Sequence, residues 1–282
     1  MQNSGMKNYH THTYRCRHAT GDVMDYARIA LDQGGTVLGI SDHAPLPDGR
    51  WPDVRMRMDE LGGYLRAIED ARAALPGLTI LKGLECEWDP AYFGFFQEEL
   101  LGKRGFQYLI GACHWFPFGG EWLDLDQCGT PDRLRACSSY LAEMMGSGLF
   151  AFIAHPDSFG IMPAVWDADR KACAADILGA ARDLRVPLEI NGYGTRMPKI
   201  QTAGGERLKY PWLPFWELAA EFDIRVVCNS DAHAPEDALA SIEDCRRIAE
   251  RFGLARVEET FLLKAPAAPA QSPVLRDIRP AV

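Results

Sequence analysis

Short apolar runs alternate with longer amphipathic stretches along most of this chain. Runs such as 36–40, 108–111 and 224–228 are rich in β-forming residues and lead into polar tips. Amphipathic, helix-like stretches separate them, and this alternation predicts parallel strands joined by crossover helices. The strands are predicted to end near His10, Ser41, Glu85, Cys113, Ala154, Ile190 and Asn229. The helices are predicted over 22–33, 58–74, 132–145, 168–184 and 236–251.

The number of these units predicts the domain organisation. Seven strand–helix units without a break in composition favour a single α/β domain, a closed or nearly closed barrel over residues 1–263. From about Lys264 onward the chain is rich in alanine and proline. Such a segment cannot hold regular structure, so we expect an extended C-terminal tail over 264–282.

Charge and cysteine usage limit the classes of partner. The formal net charge is −9, and no block of lysine and arginine interrupts the acidic background, so nucleic acid is not expected as a partner. No apolar run is long enough to span a membrane, and the polar start over 1–9 does not resemble a signal peptide. The eight cysteines form no C-x-x-C pair, which predicts reduced, buried thiols in a cytoplasmic protein. The oligomeric state stays open.

The histidines stand at special places in this pattern. Each one lies at, or just past, the C-terminal tip of a predicted strand, and the full set is His10, His12, His18, His43, His114, His155 and His233. In an α/β barrel these tips converge on one face, where active sites are built. A single histidine at such a place is more often a hydrogen-bonded structural residue. Seven together indicate one common pocket.

Acidic residues accompany the histidines at the same tips, namely Asp42, Glu85, Glu87, Asp157 and Asp231. Strand side chains alternate, so a His-x-His or Asp-x-His spacing turns both side chains toward the same side. Such a pair can hold one metal ion or bridge two. Imidazole suits zinc or iron, and carboxylates extend the choice to manganese. The sequence therefore predicts a site for two or three divalent metal ions.

These motifs, in this order, resemble those of the polymerase-and-histidinol-phosphatase (PHP) superfamily. The matching segments are 10–12, 16–21, 41–45, 83–85, 111–114, 154–157 and 230–233. Segments 21–68, 188–191 and 230–237, with Arg196, are similar to its histidinol-phosphatase branch. The likeness covers roughly residues 7 to 250.

The resemblance implies a distorted (β/α)7 TIM-like barrel and a set of metal ligands. One metal would be held by His10, His12, Glu85 and Asp231. A second would be held by Glu85, His114 and His155, with Glu85 bridging, and a third by His18, His43 and His233. The implied reaction is hydrolysis of a small phosphate monoester, most simply L-histidinol phosphate. Metal ions acidify a water molecule for the attack, so no phosphoenzyme is expected.

Five residues are candidates for contact with substrate or for catalysis. Arg196 is predicted to clamp the phosphate, because a guanidinium matches phosphate oxygens, and Arg17 is a second candidate. Asp42 is predicted either to orient a ligand imidazole or to act on the leaving-group oxygen. Asn191 is predicted to contact substrate or to shape its turn. Trp115 is predicted to wall the pocket.

The sequence departs from the branch after Asn191. Where the branch has a small-residue turn and Leu-Arg-Lys, this chain reads Gly-Tyr-Gly-Thr-Arg-Met-Pro-Lys over 192–199. A different loop leaves open another small phosphate ester, such as a nucleotide or sugar phosphate. Further alternatives are a nuclease or polymerase-editing role, a metal-dependent amidohydrolase, and a metal-binding module without turnover. The absence of a basic groove argues against a nuclease or polymerase-editing role. An amidohydrolase of this kind would normally have a lysine at a strand tip, and a structural metal-binding module would normally have paired cysteine ligands, and neither is present.

Overall fold

Eight parallel strands in one sheet form the framework of the protein. The computed structural model describes residues 5–257 and residue 262, so the predicted tail over 264–282 lies outside the described residues. The strands of the main sheet are β1 Met6–Asn8, β2 Gly35–Ile40, β3 Thr79–Cys86, β4 Tyr108–Gly111, β7 Phe152–Ile153, β8 Leu188–Asn191, β11 Arg225–Asn229 and β12 Ala255–Arg256, paired in this order. Two antiparallel hairpins stand apart: β5 Trp115–Phe118 with β6 Glu121–Asp124, and β9 Ile200–Thr202 with β10 Gly205–Arg207.

Seven α-helices are present among the described residues. They are α1 Val23–Asp32, α2 Leu61–Ala74, α3 Pro131–Gly146, α4 Ala168–Leu184, α5 Tyr193–Arg196, α6 Leu213–Ala219 and α7 Ile242–Arg251, with a π-helix at Phe95–Lys103. The predicted strand ends and the first four predicted helices agree with these bounds to within about three residues. The hairpins, the π-helix and α6 were not predicted. None of the described helices is long and apolar enough to cross a membrane.

The first and seventh strands of the main sheet meet, which closes the barrel. A parallel bridge joins Thr11 to Ala232, and the amide of His12 donates to the carbonyl of Ala232 at 2.9 Å. Below it, the Tyr9 amide donates to Asn229 Oδ1 at 3.0 Å. Seven strands therefore surround one interior, as predicted. The eighth, β12, pairs with the outer edge of β11 and was not predicted.

Alternation along β3 shows how the barrel interior is filled. Leu84 and Cys86 pack outward against the helices, whereas Leu81 belongs to a separate apolar cluster inside the barrel. We call this cluster the interior layer; it consists of Tyr9, Val37, Leu81, Tyr108, Ile110, Ala112, Phe152, Ala154 and Val227. With a period of two, the next inward positions of β3 are Gly83 and Glu85. The same strand thus contributes to the interior layer and, one level higher, to the site.

The predicted helix over 236–251 is wrong in its first half. A 3-10 turn at Pro235–Asp237 comes first, and α7 begins only after Ser241, which has a left-handed φ of 61°. Two backbone carbonyls that would accept from amides in a continuous helix accept from distant side chains instead. Ser230 Oγ donates to the carbonyl of Asp237 at 2.5 Å, and Asn8 Nδ2 donates to that of Ala238 at 2.7 Å. These long-range bonds compete with the helical pattern and end it.

Candidate metal centre

A cavity of about 330 Å³ opens at the C-terminal ends of the barrel strands. Eight of the nine predicted metal ligands line it: His12, His18, His43, Glu85, His114, His155, Asp231 and His233. The ninth, His10, is fully buried and lies directly behind His12, with 3.1 Å between their Nε2 atoms. We call these nine residues the imidazole cluster. The structure thus brings all of them together, and which metal each would serve stays a prediction.

Glu85 lies at the centre of the imidazole cluster. Its Oε1 is 3.1 Å from His155 Nε2, and its Oε2 is 3.0 Å from His43 Nδ1. The imidazoles of His10 and His12 lie at 3.5 and 3.4 Å. A carboxylate with both oxygens directed at different imidazoles can bridge two metal ions. This position agrees with the bridging role that the family resemblance implies.

Asp231 closes the opposite side of the cluster. Its Oδ1 lies 3.0 Å from His12 Nε2 and 3.5 Å from His10 Nε2. Its backbone has a φ of 50°, and that of His155 has 30°, values that residues other than glycine rarely adopt. Such strain persists only where the surroundings impose it, and it concentrates at functional sites.

Most ring nitrogens that face away from the cluster have a protein partner. His10 Nδ1 lies 2.9 Å from Glu189, and His114 Nδ1 hydrogen-bonds to Glu87. His18 Nδ1 lies 2.8 Å from the carbonyl of Cys16. Such contacts fix the orientation and tautomer of an imidazole and leave its other nitrogen, here Nε2, for a metal.

Unsatisfied buried atoms indicate that the cluster fits metal ions. Within the described residues, His12 Nδ1, His43 Nδ1, Glu85 Oε2 and Asp231 Oδ1 are buried without a hydrogen bond. Buried polar atoms normally have a partner. Ligand-bearing atoms lie within 4.8 Å of one another in the sets His10–His12–Asp231 and His43–Glu85–His114. The donors, imidazole and carboxylate, suit zinc, iron or manganese.

The pKa values of the imidazoles in the cluster are shifted in opposite directions. Burial would lower the pKa of His10, but the carboxylates of Asp231, Glu189 and Glu85 outweigh it and raise that pKa well above its usual value. Burial, together with the neighbouring imidazole of His12, lowers the pKa of His43 to about 4. Without metal ions, the carboxylates thus favour a proton on His10, whereas burial disfavours one on His43. Divalent cations would displace such a proton and use every imidazole as a neutral ligand.

The predicted phosphate clamp, Arg196, has other contacts. Its Nη2 donates to the carbonyl of Ser230 at 3.0 Å, its Nη1 donates to that of Ala240 at 3.3 Å, and its Nε lies 3.2 Å from Asp237. It is not part of the cavity wall. In this structure the guanidinium fixes the turn that carries Asp231, so its geometry supports a positioning role rather than a clamp.

Two of the other predicted substrate contacts also lie outside the cavity wall. Arg17 pairs with Glu60. Asn191 is fully buried and donates to Glu189 at 2.7 Å and to Asp231 at 3.0 Å, so it orients acids of the site. Trp115, as predicted, lines the cavity, and its ring stacks on Trp51 at 4.3 Å.

Asp42, predicted as an orienting or proton-donating acid, is fully buried beside the cluster. Its Oδ2 accepts from the Thr13 amide at 3.0 Å, and its Oδ1 lies 3.6 Å from His12 Nδ1. It does not line the cavity. Of its two predicted roles, these contacts support the orienting one.

Two buried acids lie behind imidazoles of the cluster. Glu87, one of the acids at the predicted strand tips, lies between His114 and the buried Arg55, whose Nη2 donates to it at 2.8 Å. Glu189, on β8, accepts from His10 and, at 2.8 Å, from Asn229 Nδ2. The same period of two that identified Glu85 on β3 would have placed both inside the barrel.

Other residues of the cavity wall were missed altogether. Asp124 and Asp126 are exposed in the wall, and their Asp-x-Asp spacing was overlooked; Asp124 Oδ1 accepts from the Asp126 amide at 3.0 Å and caps a turn. Tyr193 and Tyr210 also line the cavity. Nothing in the local sequence marks Tyr210. The tip acid Asp157 has a structural role, because it accepts from the Trp212 amide at 2.6 Å.

Comparison with known proteins agrees with this architecture. The model of the PHP domain family matches residues 8–192. A Deinococcus radiodurans protein named "Probable histidinol-phosphatase" is 31% identical over 262 residues, which cover 86% of this chain and 94% of that protein. A "Probable phosphatase" from Shewanella amazonensis is 28% identical over 237 residues, covering 81% and 76%.

A solved structure supports the fold. It is the histidinol phosphate phosphatase of Lactococcus lactis in complex with zinc, L-histidinol and phosphate. It superimposes with a TM-score of 0.67 over 89% of this chain and 95% of that one, at 16% identity. The chain belongs to the PHP domain family and, within it, to the family of its histidinol-phosphatase relative.

Proposed function

We propose that this phosphatase hydrolyses L-histidinol phosphate to L-histidinol and phosphate, with two or three divalent metal ions held by the imidazole cluster. The observation that carries the proposal is the cluster itself, because six imidazoles and two carboxylates line one cavity and a seventh imidazole, His10, lies directly behind it. The Deinococcus relative, named for this activity, supports the choice of ester. The zinc, L-histidinol and phosphate in the Lactococcus structure support the same choice.

The metal ions, the acids behind the imidazoles and the cavity wall have different roles in the proposed reaction. Divalent ions held there supply positive charge for the phosphoryl oxygens and acidify a water molecule. Glu87 and Glu189 hold the imidazoles of His114 and His10 in place from behind, and Asp42 lies 3.6 Å behind His12. No lysine or arginine is present among the described residues of the cavity wall. The wall itself therefore brings no fixed side-chain cation to the phosphate, whose charge is left to the ions and imidazoles.

The cavity wall suits the organic part of this substrate. Histidinol phosphate carries an ammonium group and an imidazole. The exposed carboxylates of Asp124 and Asp126 stand on one wall, and the stacked indoles of Trp115 and Trp51 stand nearby. Carboxylates attract an ammonium group, and an aromatic face attracts a cation. A cavity of about 330 Å³ is of the size that takes a small molecule.

A second ester within the same chemistry has one specific observation in its favour. The loop after Asn191 differs from the branch pattern, and Tyr193 from this loop lines the cavity. A sugar or nucleotide phosphate is therefore the alternative substrate. We also propose a cytoplasmic location, since all eight cysteines are free thiols, which a reducing compartment preserves.

The test is phosphate release from L-histidinol phosphate against a panel of nucleotide and sugar phosphates. Metal-loaded and chelated protein are compared in parallel. We expect selective turnover of L-histidinol phosphate that chelation abolishes. Faster turnover of another ester would replace the substrate but keep the chemistry. Metal binding without turnover of any ester would contradict the phosphatase function.

A further inference from the structure

The buried tyrosines of this protein differ in what their hydroxyls bind. Tyr26, Tyr64, Tyr108 and Tyr140 each donate to a backbone carbonyl, at distances of 2.6 to 3.1 Å. Tyr210 is only 7% exposed as a residue and has no hydrogen bond to its hydroxyl within the part of the chain that the structure describes, but this oxygen is not one of the fully buried atoms without a partner, so it is accessible from the cavity. The phenols of the other four tyrosines are thus used by the fold, whereas that of Tyr210 is left open to a molecule in the cavity.

The position of Tyr210 indicates where its partner would be. It lies in the cavity wall, and its ring centroid is 5.8 Å from that of His155. Tyr193 lies in the same wall, 4.6 Å from the ring of His233 and likewise without a hydrogen bond to its hydroxyl among the described residues. The two phenols thus lie beside His155 and His233, in a wall that has no guanidinium or ammonium group among the described residues.

We propose that the hydroxyl of Tyr210, assisted by that of Tyr193, donates a hydrogen bond to a phosphoryl oxygen of the bound ester. This inference rests on the proposed function, because it assigns a contact to the phosphate of its substrate. A phenol is protonated at neutral pH and is therefore a donor there. Two neutral donors would take the place of the guanidinium that Arg196 was predicted to supply.

The fold holds Tyr210 firmly in this place. A Cβ on Gly194 would lie 2.0 Å from the Tyr210 carbonyl oxygen and 2.4 Å from its Cδ2, so only glycine permits this approach. On the other side, the buried Asp157 accepts from the amide of Trp212, two residues farther on, and from Trp216 Nε1 at 2.9 Å. These contacts keep the phenol in position without a hydrogen bond to its hydroxyl, which suits a group reserved for a ligand.

The main experiment compares Tyr210→Phe and Tyr193→Phe with the unchanged metal-loaded protein. Loss of a hydrogen bond to a charged oxygen weakens binding by about 10- to 100-fold. We therefore expect Tyr210→Phe to lower kcat/KM by that factor. The affinity for inorganic phosphate, measured by calorimetry, should fall in the same range, and Tyr193→Phe should have a smaller effect. Metal content and melting temperature should not fall, because the lost hydroxyl has no partner in the free protein.

The matched control is Tyr140→Phe. Its hydroxyl binds both the amide and the carbonyl of Trp88, at 2.7 and 2.9 Å, so its loss should lower the melting temperature. Turnover should stay within about twofold. Gly194→Ala, which displaces Tyr210 while retaining its hydroxyl, should weaken phosphate binding as Tyr210→Phe does.

Two results would overturn the inference. One is unchanged phosphate affinity in Tyr210→Phe. The other is a loss of affinity that merely follows a loss of bound metal and a lower melting temperature, as expected of a structural residue. Because inorganic phosphate binding is measured separately, failure of the unchanged protein to hydrolyse any ester would reject the proposed function, while the phosphate contact would still be tested.

Discussion

Two levels inside the same barrel obey opposite rules. In the interior layer, the ring of Tyr108 fills the space above two glycines, and its hydroxyl donates to the carbonyl of Tyr9 at 2.6 Å. One level higher, the imidazole cluster leaves buried nitrogen and carboxylate atoms without hydrogen bonds. In the lower level the protein's own side chains fill the space and make the hydrogen bonds, whereas in the upper level buried polar atoms would find partners only in bound cations. The stability of the protein should therefore depend on metal at one level and on packing at the other.

The largest effect on activity is expected at the centre of the upper level. Glu85→Gln keeps the size of the side chain but removes the charge that faces four imidazoles within 3.5 Å. Loss of a residue behind a ligand already costs 10- to 100-fold in metal affinity or activity, so loss of this carboxylate should lower turnover by more than about 100-fold. Bound metal, measured by mass spectrometry, should fall with it. The control is Glu98→Gln, an exposed carboxylate on the π-helix. Equal losses in both variants would contradict a special role for Glu85.

The next largest effect tests the lower level. A Cβ on Gly83 would lie 2.3 Å from Cζ of the Tyr108 ring, which has no free space to move into. Overpacking of this kind should lower the free energy of unfolding of Gly83→Ala by about 3 kcal/mol, in urea denaturation with or without chelator. Gly179→Ala provides the contrast, because a Cβ there meets nothing within 4 Å in the middle of α4. It should stabilise the protein by up to about 1 kcal/mol. Destabilisation that disappeared on metal loading would contradict the separation of the two levels.

The sequence predicted the framework and the cluster, because both depend on local patterns. Apolar runs with polar tips mark the parallel strands, and each histidine stands at such a tip. Roles that depend on distant segments could not be predicted in this way. The phenol of Tyr210 reaches the cavity through the contacts of Gly194 and of the Asp157–Trp212 pair, and no nearby pattern indicates them. Arg196 was assigned by its chemistry, whereas the three carbonyls that it binds belong to a turn more than 30 residues farther along.

A third prediction concerns the response of the metal-free upper level to acid. The pKa of His43 is about 4 in the folded protein, against 6.5 as its ordinary value. Burial is the main cause of this lowered pKa, and the neighbouring imidazoles of His12 and His114 add to it. Between pH 6.5 and 4, His43 therefore binds a proton in the unfolded chain but not in the folded chain. As the pH falls through this range, the free energy of unfolding of the protein falls. At pH 5 this destabilisation amounts to about 2 kcal/mol. His43→Gln, compared with the unchanged protein in chelator at pH 7 and pH 5, should lose about 2 kcal/mol less over this interval. Equal acid sensitivity in both proteins would show that His43 is not excluded from protonation.

The last prediction distinguishes the two roles of Asp42. Its carboxylate binds Thr13, lies 3.6 Å from His12 Nδ1 and does not face the cavity, a position that favours the orienting role. Asp42→Asn should therefore weaken metal binding by about 10- to 100-fold. Because the orienting role acts through metal affinity, turnover should recover at saturating metal, and the pH profile should keep its shape. The exposed Asp53→Asn is the control and should change neither quantity. A fall in kcat that persists at saturating metal, together with loss of one limb of the pH profile, would instead assign Asp42 to proton transfer at the leaving-group oxygen.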